Sequence, residues 1–329
     1  MTEIPSDLIL YHYNASPYAR RISAYLALRK IPYAECVQAP TLPRPDLTNL
    51  GVKYRRIPVL AHGRDIYADT RLILSRLSEL IPASTAHPAL PTNATEPALA
   101  ALLDVFTVDG GVFARAAQLL PISSPALQNP KFRKDREDFS GRSWDLKDME
   151  RGQPEALVHM RRAFDTFEAL LADGREWIAG TDGLGLSDIN SAWVLEWMMD
   201  FVKVDVLSRE VYPKTYAWVG RYKATVKAAV KANKVVKVKG DEAKKFVLNA
   251  QVNGRVDVDE KDPLKLKKGQ EVVVFPIDTG FKHKDNGKLV GLNKEEVVIA
   301  VKAPEGNAEV HLHAPRWGFR VLAADSAKL

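Results

Sequence analysis

One cysteine, Cys36, is all that the 329 residues carry. A single thiol forms no internal disulfide, no Cys-rich zinc site and no Cys-x-x-Cys redox pair, and a reducing, cytoplasmic setting fits that usage. Nowhere do about 18 apolar residues run uninterrupted, and Met1 to Asp7 lack a cationic start, so neither a membrane span nor a secretory leader is expected. No Gly-x-Ser-x-Gly elbow occurs, which leaves a serine hydrolase of that type without its nucleophile. What is present is a hydrophobic content of 46%, over a length that allows two or three cores. The net charge of +6 is unevenly spread, with 19 Lys and Arg against 14 Asp and Glu in residues 231–329. Arg221, Lys223, Lys227, Lys231, Lys234, Lys237 and Lys239 form a run without acids, read as a solvated helix face entering a linker rather than a nucleic-acid contact.

Three parts follow one another. Leu8 to Tyr13 is an apolar run for a buried strand, Pro17 suits the first turn of a helix, and that helix is expected over about 18–29. Tyr33 to Val37 reads as a second strand, parallel to the first. After a proline-rich loop, Arg56 to Ala61 and Ile66-Tyr67 flank His62-Gly63-Arg64-Asp65 as a hairpin, and Thr70 to Leu80 returns to helical spacing until Pro82. This first unit, residues 1–82, is α/β. Residues 83–96 suit a linker, and 96–233 read as all helix, over about 96–119, 131–140, 154–172, 186–204 and 211–233. From Val235 alternation takes over, as in Val236 to Lys239, Val256 to Asp259 and Val310 to His313, with β-branched runs at Val272 to Phe275 and Val297 to Val301. Turns are signalled at Asn253-Gly254, Lys268-Gly269 and Asn286-Gly287, so 235–329 is expected to be a separate, small β-barrel-like domain.

The segments Ser16-Pro17-Tyr18-Ala19-Arg20-Arg21, Arg55-Arg56-Ile57-Pro58-Val59-Leu60 and Asp69-Thr70-Arg71-Leu72-Ile73, in this order and spacing, resemble the thioredoxin-like domain of Ser-type glutathione transferases. The tau, lambda and omega classes and a bacterial and fungal Ser-Pro-Tyr-Ala set are the nearest in pattern. Leu186 to Ala192 resembles the helix start inside the family's helical domain, although Gly185 stands where Ser or Thr usually caps, which leaves Ser187 as an alternative cap. The resemblance implies a thioredoxin-like domain, a helical domain and an appended β part, together with a homodimer and glutathione as co-substrate.

It also implies roles. Ser16, at a helix N-terminus, would donate a hydrogen bond to the glutathione sulfur where helix N–H groups favour a thiolate. Its plain alternative is a helix cap. Pro58 is expected to be cis, since that form costs an X-Pro bond only about 0.5–1 kcal/mol, leaving Ile57 to pair with the cysteinyl backbone of the ligand. Asp69 and Thr70 would take the γ-glutamyl end, or else merely cap the next helix. Arg56, with Lys53 or Arg55 as further candidates, would face the glycyl carboxylate. Tyr18, Phe106, Val112, Phe113 and Trp144 are candidates for the wall that meets a small hydrophobic electrophile, although residues of these types are more often core than pocket. Asp104 and Asp109 could assist a proton transfer or be surface acids. No metal site is expected, and His311 and His313 read as an exposed strand face. A non-catalytic glutathione-binding or interaction protein, its basic β domain docking a partner, uses the same fold. A glutathione-dependent reductase is disfavoured, because Ser16 stands where thiol-transferring classes have Cys.

Overall fold

The computed structural model describes residues 3–254, 256–305 and 308–326, so Met1, Thr2 and the last three positions of the 235–329 span lie outside it. The first unit runs β1 (Leu8–His12), α1 (Pro17–Leu28), β2 (Tyr33–Val37), α2 (Pro45–Thr48), β3 (Val59–His62), β4 (Asp65–Ala68) and α3 (Thr70–Leu80). β2 lies parallel to β1, and β3 and β4 form the expected antiparallel hairpin. The helical part comprises α4 (Glu96–Val108), α5 (Val112–Gln118), α6 (Pro125–Gln128), α7 (Pro130–Ser140), α8 (Leu146–Leu170), α9 (Leu186–Met199) and α10 (Pro213–Ala232). The single helix expected over 96–119 is two, because Gly111 adopts φ 81° and turns the chain between α4 and α5. Among the described residues, Glu96–Gln118 is also the one segment apolar and long enough for a membrane span by composition. It is broken at that glycine, and its Asp104 is ion-paired to Arg21 and Arg71.

The β-rich part comprises β5 (Val235–Lys237), α11 (Gly240–Asn249), β6 (Glu271–Pro276), β7 (Asp285–Leu292), β8 (Glu296–Lys302), β9 (Glu309–Pro315) and β10 (Phe319–Ala323). It is not a separate barrel. β9 pairs in parallel with β4 and β5 pairs in parallel with β2, giving one ten-stranded sheet of order β10-β6-β7-β8-β9-β4-β3-β1-β2-β5. The second edge of β9 is taken by β4, so the five strands run on into the first sheet instead of closing on themselves. Both edges of the original sheet are thereby covered, which removes unpaired backbone groups from solvent. Asn286-Gly287, expected as a turn, lies inside β7, where a Cβ on Gly287 would meet the Ala300 carbonyl oxygen at 2.3 Å. Of the Val256–Asp259 alternation only a bridge from Val258 to Leu292 remains.

The period of two in β1 divides the interior. Leu8 and Leu10 join Leu60, Tyr67, Phe164, Phe167 and Trp193 in a core shared with the helices. Ile9 and Tyr11 face the opposite way and join Val59, Ala61, Val272, Leu289, Ile299 and Leu312 in a core shared with the appended strands. At the β4–β9 seam the His313 ring lies between Glu296 (Nδ1, 2.9 Å) and Asp65 (Nε2, 3.0 Å), all three buried. The face carrying His313 is thus interior, not exposed as expected. Asp285 of β7, also buried, accepts the Lys53 N–H at 2.6 Å.

Candidate active site

β3 runs antiparallel to β1, with Tyr11 opposite Val59, and β4 antiparallel to β3, with Val59 opposite Ala68. This register gathers the chain after β1, the chain before β3 and the chain after β4 at one end of the sheet. Those are the places of Ser16, of Ile57-Pro58 and of Asp69-Thr70. Ser16 is buried at the N-cap of α1, where its hydroxyl oxygen accepts the Ala19 N–H at 3.2 Å. An oxygen used as acceptor keeps its own proton to donate. The Ile57–Pro58 peptide is cis, and among the described residues neither the Ile57 N–H nor its carbonyl has a hydrogen-bond partner. Asp69, at φ 70°, caps α3 by accepting the Arg71 N–H at 3.1 Å. Thr70 is buried and accepts from Arg21 Nη1 at 3.2 Å.

The cations sort themselves by contact. Arg55 is buried against α7, bound to Asp135 at 2.9 Å and to Asp138, with its guanidinium over the Phe139 ring. It is a structural clamp and does not face the sheet end. The Lys53 side chain is exposed, and its backbone is held by Asp285. Arg56 reaches Asp69 at 3.4 Å, the Thr279 carbonyl through Nε at 2.9 Å and Nη2 at 2.7 Å, and the Asp278 carboxylate, with Phe319 beneath its guanidinium. Arg71 binds Asp104 and, at 2.7 Å, Asp109, which also accepts from Trp317 Nε1 at 2.9 Å. Burial opposes ionisation of Asp104, yet Arg21 and Arg71 together hold its carboxyl below the usual range. It is therefore an anion bracing two arginines, poorly suited to carry a proton.

Beside Ser16, the Tyr18 ring meets Trp193 at 4.6 Å and Phe113 at 4.8 Å, and Phe113 meets Trp193 at 5.3 Å and Trp197 at 5.5 Å. Burial pushes the Tyr18 hydroxyl well above its ordinary range, so it stays protonated. Phe106 turns instead to Phe167 in the helical core, Val112 is buried there too, and Trp144 packs on Phe132 at the far end of α7. Trp193, Asp278, Thr279 and Phe319 escaped the sequence reading. Trp193 sits on a helix whose apolar spacing was visible, whereas nothing near Asp278 in sequence points to Arg56. Ser187 is not the cap of α9: it binds Glu96, while Asp188 accepts the Gly185 N–H at 2.9 Å.

A small thioredoxin-like sheet, a serine-capped first helix, a cis-proline loop and a following helical part are the architecture of glutathione-transferase-like proteins. A model of the glutathione S-transferase N-terminal domain matches residues 10–85, and a domain of unknown function (DUF7962) matches residues 115–231. Among curated proteins, glutathione S-transferase U1 of Arabidopsis thaliana is 30% identical over 100 residues, 30% of this chain and 43% of that protein. Glutathione S-transferase U7 of the same plant is 26% identical over 208 residues, 62% of this chain and 78% of its own length. The chain thus spans less than half the length of the first curated relatives it matches. The crystal structure of a GST-like protein from Pseudomonas syringae superposes with a TM-score of 0.69 and 24% identity, covering 97% of this chain and 99% of that one, which shows a shared fold that includes the appended strands. Residues 10–85 thus match the glutathione S-transferase N-terminal domain, and the chain as a whole has a GST-like fold.

Proposed function

We propose that the protein is a glutathione transferase that activates the glutathione thiol at Ser16 and delivers it to a small hydrophobic electrophile. The observation that carries this reading is the convergence, at one sheet end, of a buried N-cap hydroxyl, an unpaired Ile57 backbone and the Asp69-Thr70 start of α3. Helix N-termini favour anions, and together with neighbouring cations they lower a thiol from about 8.5 into the range of roughly 3.5–7.5. The γ-glutamyl carboxylate goes to Thr70 and the α3 N-terminus, its ammonium to Asp69, and the cysteinyl backbone to Ile57. The glycyl carboxylate goes to the Arg56 corner, beside Asp69, since the Arg55 guanidinium is bound to α7. The thiol proton leaves to solvent, the sulfur pair forms the C–S bond, and the leaving group departs with the electrons of the bond that breaks. Tyr18 and Phe113, with Trp193 and Trp197, form the apolar wall for the electrophile, in place of Phe106 and Trp144. Burial pushes the Cys36 thiol up to about 12, so it stays neutral and takes no part in the chemistry. We assign the protein to the cytoplasm and expect it to act as a homodimer.

The test is turnover of a generic aryl halide together with the ultraviolet absorbance of bound thiolate. Ser16→Ala should lower kcat roughly 100-fold and abolish the thiolate band, as loss of one preorganised donor does elsewhere. An unchanged band would remove Ser16 from the mechanism. Binding without any thiolate signal in either protein would leave a glutathione-binding protein without catalysis.

A further inference from the structure

The β6–β7 loop, residues 277–284, leaves the appended sheet and crosses to the helices. Its Gly280 N–H donates to the Phe139 carbonyl at 2.7 Å, and His283 Nε2 meets Asp138 at 2.9 Å, so the far side of the loop rests on α7. Its near side, Asp278 and Thr279, lies on Arg56. Among the described residues Arg56 makes four hydrogen bonds, and three of them end on this loop, two on the Thr279 carbonyl and one on the Asp278 carboxylate. The fourth ends on Asp69. An incoming carboxylate therefore meets a guanidinium already flanked by two carboxylates and a carbonyl, with its remaining face on the Phe319 ring.

We propose that the 277–284 loop is an autoinhibitory lid, in which the Asp278 carboxylate and Thr279 carbonyl occupy Arg56 in place of an anionic ligand. The inference rests on the reading of the Arg56 corner as the place of a glutathione carboxylate. Asp278 mimics that group chemically: a carboxylate on a short loop, paired with the same guanidinium. The contact is strong enough to compete and weak enough to yield. The Asp278 side chain is 54% exposed, and ion pairs open to water are screened and contribute little. Glutathione binds only the fraction of molecules whose lid is open, so its apparent affinity falls by that fraction. The appended sheet then regulates the site through this loop while standing outside the chemistry.

Calorimetric titration of the full chain with reduced glutathione tests the lid, alongside hydrogen exchange of the Gly280 amide. Asp278→Asn removes the competing charge, and His283→Ala loosens the α7 anchor without touching Arg56. Both should tighten glutathione by about fivefold, the scale of one solvent-screened pair, and saturation of the wild type should speed exchange at Gly280. An unchanged or weaker affinity in Asp278→Asn overturns the lid, as does tightening in that variant alone with Gly280 exchange unmoved. Absence of binding in the wild type and both variants overturns the reading of the site itself, and the lid with it. If Asp278→Asn fails to fold, His283→Ala and the wild-type exchange decide.

Discussion

Asp285 shows how much one buried charge can weigh. Burial pushes its carboxyl up to about 7, although the N–H groups of Lys53 and Tyr54 work the other way. A folded-state value above the ordinary aspartate value of 3.8 means that its contribution is favourable at low pH and is lost as pH rises through about 7. Asp285→Asn should therefore raise unfolding free energy by on the order of 2 kcal/mol at pH 8, and by little near pH 4, in urea titrations across that range. A second buried group, His313, titrates at the β4–β9 seam. Burial lowers its basicity, but Asp65 and Glu296 together raise it above the ordinary 6.5. Burial likewise opposes Asp65, while His313 and the Gly254 and Asn253 N–H groups bring it below its ordinary value. The His313 contribution is thus full below the ordinary histidine value and fades as pH climbs through the raised one. That of Asp65 is full above the ordinary aspartate value and fades only in stronger acid. His313→Gln should lower stability by about 3 kcal/mol near pH 6, since it strands two buried carboxylates, and the loss should shrink as pH rises past the raised histidine value. An equal loss at all pH values would mean that the ring is neutral in the folded state.

Elements were legible where their own residues determine them. The strand at Leu8, the Pro17 helix start and the Thr70 helix carry local signals of period, cap and proline, and each formed within a residue or two of its expected bounds. α11 was missed because its apolar positions, Ala243, Phe246 and Val247, are few and follow an alternating stretch that reads as strand. β7 was missed because Asn286-Gly287 is a pair that ordinarily turns a chain, whereas the need for a bare Cα against the Ala300 carbonyl comes from β8 and not from β7. Gly287→Ala should cost about 2–3 kcal/mol by the same urea assay, more than an ordinary strand glycine, through overpacking of that backbone. At the level of α7, Arg55 clamps the helix through Asp135 and Asp138. Arg55→Leu should destabilise by about 3 kcal/mol, leaving glutathione affinity at least as high as before if α7 also anchors the lid.

At the scale of the molecule, the three parts read from the sequence exist, but the junctions between them were not legible. Pairing of β4 with β9 and of β2 with β5 depends on which edges are free once the first sheet has formed, and no residue pattern records that. The Arg56–Asp278 contact lies equally beyond local signals, since it joins residues 222 apart. The shared core sharpens an expectation about truncation. Removing the chain after residue 234 would uncover Ile9, Tyr11, Val59 and Ala61 and leave β4 without a neighbour on its outer edge. Such a protein should be insoluble or molten, judged by dye binding and lost near-ultraviolet dichroism, rather than an active enzyme lacking an accessory part. A soluble, cooperative and active truncation would instead make the appended strands dispensable to the fold.

The β4–β9 seam also has a consequence for how the protein is made. Asp65 and His313 are 248 residues apart, so at 5–20 residues per second the ribosome needs about 12 to 50 s to supply the partner that β4 awaits. Throughout that interval a nascent chain holds an apolar sheet edge open to any other strand in its surroundings. The last tenth of the polypeptide thus acts as the release signal for the first quarter, and chaperone demand during translation should track the time to β9 more closely than the length of the chain.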